Sequence, residues 1–176
     1  MAIDRQKTET VHWHAVFTAS RAEKKVRDRL EELGMECFLP VQTVLRQWTY
    51  RKSRVVVPVI AGLVFVRVSR QEQVKVLQTK GVVAFLRLKG EAGAAVVPDK
   101  QMEDFRFLLD FSEEAVEMTN ENIKAGDLVR VVKGSLRGME GELIRHKGVT
   151  KVLVRIDMLG CAMVSIPASF VEKLNK

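Results

Sequence analysis

Cysteine is scarce in this chain. Two residues of 176, Cys37 and Cys161, are cysteines; they lie far apart, and neither has a Cys-x-x-Cys neighbour. A structural zinc site needs four ligands in paired spacing, which His12, His14 and His146 do not supply. The expectation is two free, buried thiols in a reducing compartment and no metal. Long apolar runs are also missing. The best candidate, Val55–Val66, is broken by Pro58 and Gly62, so nothing approaches the length that spans a bilayer. Met1–Thr10 is polar and of mixed charge, without the apolar core of a signal peptide. A cytoplasmic protein with no membrane partner is expected. Catalytic signatures are absent too: there is no Gly-x-Ser-x-Gly, no Walker loop and no His-Glu-x-x-His. His12 and His14 stand two apart at a strand start without nearby carboxylates, which makes neither a catalytic dyad nor a closed metal site. The chain reads as a non-enzyme with no catalytic residues and no cofactor.

What is present suits a soluble globular protein: 47% of residues are hydrophobic and 29% charged. The net charge of +7 is unevenly spread. Residues 1–112 carry 19 basic and 13 acidic side chains, residues 113–123 carry four Glu and no base, and residues 124–176 carry 10 basic and 5 acidic. Two basic blocks therefore flank an acidic stretch, and a basic excess favours polyanionic partners.

Along the chain, Trp13–Thr18 reads as a strand with Trp13, Ala15 and Phe17 on one face. Ser20-x-x-Glu23 has the form of a capping box, so a helix is expected from Ser20. Ala22, Val26, Leu30 and Leu33 would form its packed stripe, and Gly34 would end it. Val55–Val59 and Gly62–Val68 are dense in β-branched residues and look like paired strands. Gln71–Thr79 suggests a short helix with Val74 and Leu77 inward, and Val82–Leu88 another strand. Val96-Val97-Pro98-Asp99 begins a helix with Met102, Phe105, Leu108 and Leu109 as its apolar stripe. The Glu-rich stretch 113–123 marks a domain boundary. From Gly126 the apolar period becomes two: five short strands separated by turn residues, with Lys147-Gly148 and Leu159-Gly160 at hairpins. About fifty residues of this kind suit a small closed barrel.

Three local patterns agree with one family. Gly126-Asp127-Leu128-Val129-Arg130-Val131, followed by Gly134, Gly138 and Gly141, resembles the KOW motif of NusG and of some ribosomal proteins. Glycines so spaced after a strand permit positive φ and a tight return. Trp13–Val16 leading into the basic helix resembles the start of a NusG N-terminal domain. Ile60-Ala61-Gly62-Leu63-Val64-Phe65-Val66 resembles the family's Phe-Pro-Gly-Tyr-Val-Leu-Val segment, with Ala61 and Leu63 in place of its usual Pro and aromatic residue. Met35–Pro40 also fits the family's pre-hairpin region. The patterns run in the family's order from Trp13 to Leu174, and the chain is more similar to specialised RfaH-like and UpxY-like members than to housekeeping NusG.

The resemblance implies an α+β protein: an N-terminal NusG-type α/β sandwich with a mainly antiparallel sheet over 1–112, an acidic linker over 113–123, and an SH3-like KOW β-barrel over 124–176. It implies a monomeric transcription elongation and antitermination factor. RNA polymerase would be bound through an open apolar hollow formed by Phe17, Ile60, Leu63, Phe65 and Phe85, with Trp13 beside them. Several of these could equally be ordinary core; for Phe65 the two readings stand level, and Trp13 reads as core. Arg21, Lys24 and Lys25 would meet the non-template DNA strand, or else form a solvated charged face. Arg46, Trp48, Tyr50, Arg51, Lys52 and Arg54 would be a hairpin tip that meets nucleic acid by stacking and charge, or a loop in which Trp48 packs. The family's His-Thr-Thr element is absent; Ser69-Arg70-Gln71-Glu72-Gln73 stands there. Met158 and Leu159 would be an exposed apolar tip that binds a ribosomal protein or a termination factor, or Met158 would fold back on its own barrel. The competing reading is a ribosome-associated or RNA-binding protein that uses the KOW barrel directly.

Overall fold

The computed structural model describes residues 9–174, so most of the polar Met1–Thr10 stretch lies outside the described residues. Its elements are β1 (His12–Thr18), α1 (Glu23–Glu32), β2 (Glu36–Phe38), β3 (Val41–Gln47), β4 (Lys52–Pro58), β5 (Leu63–Val68), α2 (Glu72–Gln78), β6 (Val82–Phe85), α3 (Asp99–Phe111), β7 (Glu117–Thr119), β8 (Asp127–Val131), β9 (Glu140–His146), β10 (Val149–Ile156), β11 (Gly160–Ser165) and β12 (Val171–Lys173). Helices mix with antiparallel sheets throughout, as expected for an α+β chain. The chain divides into two compact units: one runs up to Leu39 and resumes over Gly62–Val96, and the other holds Pro40–Ala61 with everything from Val97 onward. Among the described residues no helix is long and apolar enough to cross a membrane.

The first unit is a four-stranded sheet in the order β2-β5-β1-β6. Val16 of β1, Val66 and Val68 of β5 and Phe85 of β6 form one apolar face, on which Val26 and Leu30 of α1 and Val76 of α2 pack. The helix start differs from the expected capping box. Ala19–Ala22 closes a turn through Ala22 N–H to Ala19 C=O (3.0 Å), so α1 begins only at Glu23 and no side chain caps it. The Glu23 carboxylate instead accepts the Gly62 N–H at 2.7 Å, tying the helix start to the entry of β5. The capping box is found at Ser69 and Glu72, where the Glu72 carboxylate accepts the Ser69 N–H (2.8 Å) and the Ser69 hydroxyl faces the Glu72 N–H (3.4 Å). At the other end of α1, Gly34 takes φ 80°, and the Met35 and Gly34 amides return to Leu30 and Glu31, a Schellman closure. In α2 the inward residue is Val76, not Val74 or Leu77, which are 58% and 44% exposed.

In the second unit β3 and β4 form an isolated two-stranded ribbon, in register from Val41↔Pro58 to Gln47↔Lys52. The two β-branched strands of the sequence therefore do not pair with each other: β4 takes β3, its hairpin neighbour, while β5 lies between β2 and β1. A six-stranded antiparallel sheet in the order β12-β8-β9-β10-β11-β7 provides the barrel-like part. Lys147 and Gly148 both have positive φ, 48° and 81°, the backbone a two-residue hairpin demands. Gly126 serves a different need: a Cβ there would stand 2.1 Å from the Leu143 carbonyl oxygen, so only glycine lets the chain pass β9. The acidic stretch is not a bare tether. Val116 is buried, Glu117–Thr119 pairs with β11, and Ile123 packs on the cluster of Ile144, Leu153, Cys161 and Met163.

Candidate functional site

In the first unit the register Ala15↔Phe65 and Phe17↔Leu63 places Trp13, Ala15, Phe17, Leu63 and Phe65 on the sheet face opposite the helices. Phe38 joins them beside Phe65, ring centres 6.1 Å apart. The open hollow expected here is not found. Leu63 and Phe65 are 1% and 0% exposed, and Trp13 is buried; Phe17 (40%) is the exposed member, and Ile60 is half-buried. Phe85 does not belong to this face. It sits opposite Val16, so strand alternation turns it into the core beneath α1 and α2. Its ring meets His14 edge-on at 5.7 Å. The buried imidazole donates from Nδ1 to the Ala95 carbonyl (2.8 Å), leaving Nε2 to accept from the Gln73 amide (3.3 Å). Burial holds His14 below its ordinary pKa, opposed by the Ala95 bond, and His12 adds to the lowering. Among the described residues no group of three or more His, Cys, Asp or Glu could hold a metal ion.

Arg21, Lys24 and Lys25 are all exposed at the start of α1. Arg21 has φ 58°, the left-handed region that side chains with a Cβ seldom enter. Its strain is part of the tight turn that delays the helix to Glu23.

The second unit carries the hairpin residues. Residues 48–51 turn through Trp48 N–H to Arg51 C=O (2.8 Å). The Trp48 indole N–H donates to Ser53 Oγ (3.0 Å), which fixes that ring over the turn, whereas Tyr50 is 97% exposed. Arg46, Arg51, Lys52 and Arg54 are all exposed. The register separates them: Arg46 opposes Ser53 on one face, while Arg54 opposes Leu45 and Lys52 opposes Gln47 on the other. Sequence reading missed the clamp at the ribbon's base. The Gln42 side chain donates to the Val116 carbonyl (3.1 Å) and accepts the Val116 N–H (2.8 Å), across 74 residues, a separation at which no local pattern signals a contact.

At the tip joining β10 and β11, Met158 and Leu159 are half-buried rather than exposed, and Met158 has φ 68°. The Asp157 N–H beside them donates to Gln101 Oε1 of α3 at 2.8 Å. On β9 and β10, the Arg155 guanidinium forks onto both oxygens of Glu142 (2.6 and 2.9 Å) and reaches the Ile123 carbonyl (3.1 Å). The Arg155 bonds, with the Gly126 N–H, hold the Glu142 carboxyl below its ordinary range against its burial. Lys151, buried, is matched by Glu117 at 2.6 Å. Both cysteines are free thiols, with Cys37 half-buried and Cys161 buried. Burial, reinforced by Glu31, pushes Cys37 up to about 12, and burial likewise raises Cys161.

The family model described as "Transcription termination factor nusG" matches residues 11–106, from the entry of β1 into α3. The chain belongs to the NusG family, whose members are transcription factors. Among solved structures, NusG of Thermotoga maritima, described as "Domain interaction in Thermotoga maritima NusG", is 22% identical, with 94% of this chain and 98% of that chain covered and a TM-score of 0.48. Two chains from the MjSpt4:Spt5 complex, conformations B and A, are each 16% identical and cover 93% of this chain, with TM-scores of 0.32 and 0.27; 97% and 99% of those chains are covered. No curated protein sequence matches the chain.

Proposed function

We propose that the chain is a transcription elongation and antitermination factor that binds RNA polymerase through the β1–β5 face and recruits a ribosomal protein or a termination factor through its KOW barrel. One observation carries the first half: the family match spans the strands that bear Phe17, Leu63 and Phe65 on one face. A helix pair docks on such a face by its apolar side chains, with a polar rim giving orientation. Phe17 is the accessible apolar contact on this face, while Leu63 and Phe65 are buried. Bound across the polymerase cleft, the factor disfavours the open, paused state by its differential affinity for the closed one, with no chemistry of its own.

The hairpin tip, with Tyr50 free and Arg46, Arg51 and Lys52 around it, supplies stacking and phosphate contacts to nearby nucleic acid, and Arg21, Lys24 and Lys25 supply a second basic contact. The test is binding of the full chain to purified RNA polymerase. Phe17→Asp leaves the buried core intact and is expected to weaken binding at least tenfold, by about 1.4 kcal/mol or more. Unchanged polymerase binding by a folded Phe17→Asp variant, with strongly salt-dependent RNA binding by the full chain, would favour the ribosomal or RNA-binding alternative.

A further inference from the structure

The acidic stretch does more than join two parts of the chain. Asp110, Glu113 and Glu114 are exposed and form no ion pair among the described residues. Together with the ribbon residues Leu45, Arg54 and Val56 they line an open groove of about 700 Å³ in the second unit. Its apolar floor is unusual for a solvated arm: Leu45 is 63% exposed and Val56 49%. The two belong to one ribbon face, since Leu45 opposes Arg54 and Val56 opposes Thr43. The acidic wall is held in place, because the Gln42 amide bonds both backbone groups of Val116 and the Ser112 hydroxyl donates to the Glu114 carbonyl at 2.6 Å. Arg54 is the one base among the lining residues against three acids, Asp110, Glu113 and Glu114, so the groove is net acidic. The rest of the chain is basic, with a net charge of +7 overall.

Charge and shape thus select the occupant. Phosphate backbones are repelled by the carboxylates, and an acidic peptide would add to that repulsion. An aliphatic side chain gains by covering Leu45 and Val56, and flanking cations gain by facing Asp110, Glu113 and Glu114. We infer that this groove docks a basic protein segment: an extended stretch with an aliphatic side chain set between lysines or arginines. The site is separate from the polymerase-binding face and does not depend on that reading, which stands or falls on Phe17→Asp. The nucleic-acid role of the hairpin is thereby confined to its tip, because Arg54 belongs to the groove.

The test is fluorescence anisotropy of the full chain with a short labelled peptide that alternates lysine with leucine. Replacing Asp110→Asn, Glu113→Gln and Glu114→Gln together removes three exposed charges and should weaken binding about tenfold. Leu45→Ser, at a site already exposed, should weaken it several-fold with the charges intact. A peptide alternating lysine with serine should bind poorly. The inference is overturned if the charge-neutral variant binds as tightly as the parent, or if the serine peptide binds as well as the leucine peptide. It is equally overturned if a labelled single-stranded oligonucleotide takes the groove and is released by Leu45→Ser. A concentration-dependent dimer of the chain alone, abolished by Leu45→Ser, would assign the groove to a second copy and would also refute it.

Discussion

β4 and β5 are neighbours in sequence and alike in composition, yet they have opposite fates. β4 reads Lys52-Ser53-Arg54-Val55-Val56-Val57-Pro58 and β5 reads Leu63-Val64-Phe65-Val66-Arg67-Val68. β5 has a strand on each side, and Leu63 through Val66 are all fully buried. β4 has a single partner, β3, and Val56 is half exposed. β-branched residues favour the strand conformation in both cases; how deeply they are buried follows from the number of strands and layers around them. A valine-rich run therefore marks a strand without saying whether it is core or surface.

The largest expected effect tests that contrast directly. Phe65→Ala, which empties a fully buried position, should cost about 3–5 kcal/mol in urea unfolding, whereas Val56→Ala should stay within about 0.5 kcal/mol. Comparable losses at the two positions would break the comparison. Next comes the clamp at the ribbon's base. Gln42→Ala removes two hydrogen bonds and leaves the amide of buried Val116 unpartnered, at a cost of roughly 1–3 kcal/mol. Hydrogen exchange at the Val116 amide should accelerate in this variant, while exchange in β5 stays as in the parent.

Acid should separate the two units in order. His14 is held neutral below its ordinary value of 6.5, so its contribution is complete above that pH and declines as the pH falls toward its lowered native value. Glu142 is held charged below its ordinary value of 4.5, so its contribution is complete above 4.5 and declines as the pH falls through its lowered native value. Amide exchange followed from pH 7.5 downward should therefore loosen the sheet around His14 before the β9–β10 pair; the reverse order would contradict both assignments. The smallest effect concerns the thiols. With Cys37 pushed up to about 12, iodoacetamide at pH 8 should alkylate it far more slowly than a free cysteine.

Much of this was legible in the sequence because it is encoded locally. The alternation of Trp13, Ala15 and Phe17, Gly34 after the helical stripe of α1, the Lys147-Gly148 hairpin and the period of two beyond Gly126 each specify their own backbone. The failures share another cause. Ser20-x-x-Glu23 has the spacing of a cap, but its Glu is claimed by the Gly62 amide, a partner 39 residues away. Phe85 looked like a contact residue until register put it opposite Val16. Val74 and Leu77 of α2 are apolar yet exposed, because only Val76 reaches the core. The groove along the ribbon joins residues from 41 to 116, and no window of sequence contains it. Local chemistry is written in neighbouring residues; a site assembled by pairing is not.

The β7 strand has a practical corollary for anyone who wishes to handle the carboxy-terminal portion alone. A piece cut at Lys124 would leave Lys151 without the Glu117 carboxylate that neutralises it. It would also strip Ile123 from the Leu153–Met163 cluster and remove the carbonyl on which Arg155 rests. Such a piece would present a sticky, positively charged flank that the whole chain does not possess, and nucleic acid adhering to it would be a consequence of the cut. A fragment that opens ahead of Val116 avoids manufacturing that surface.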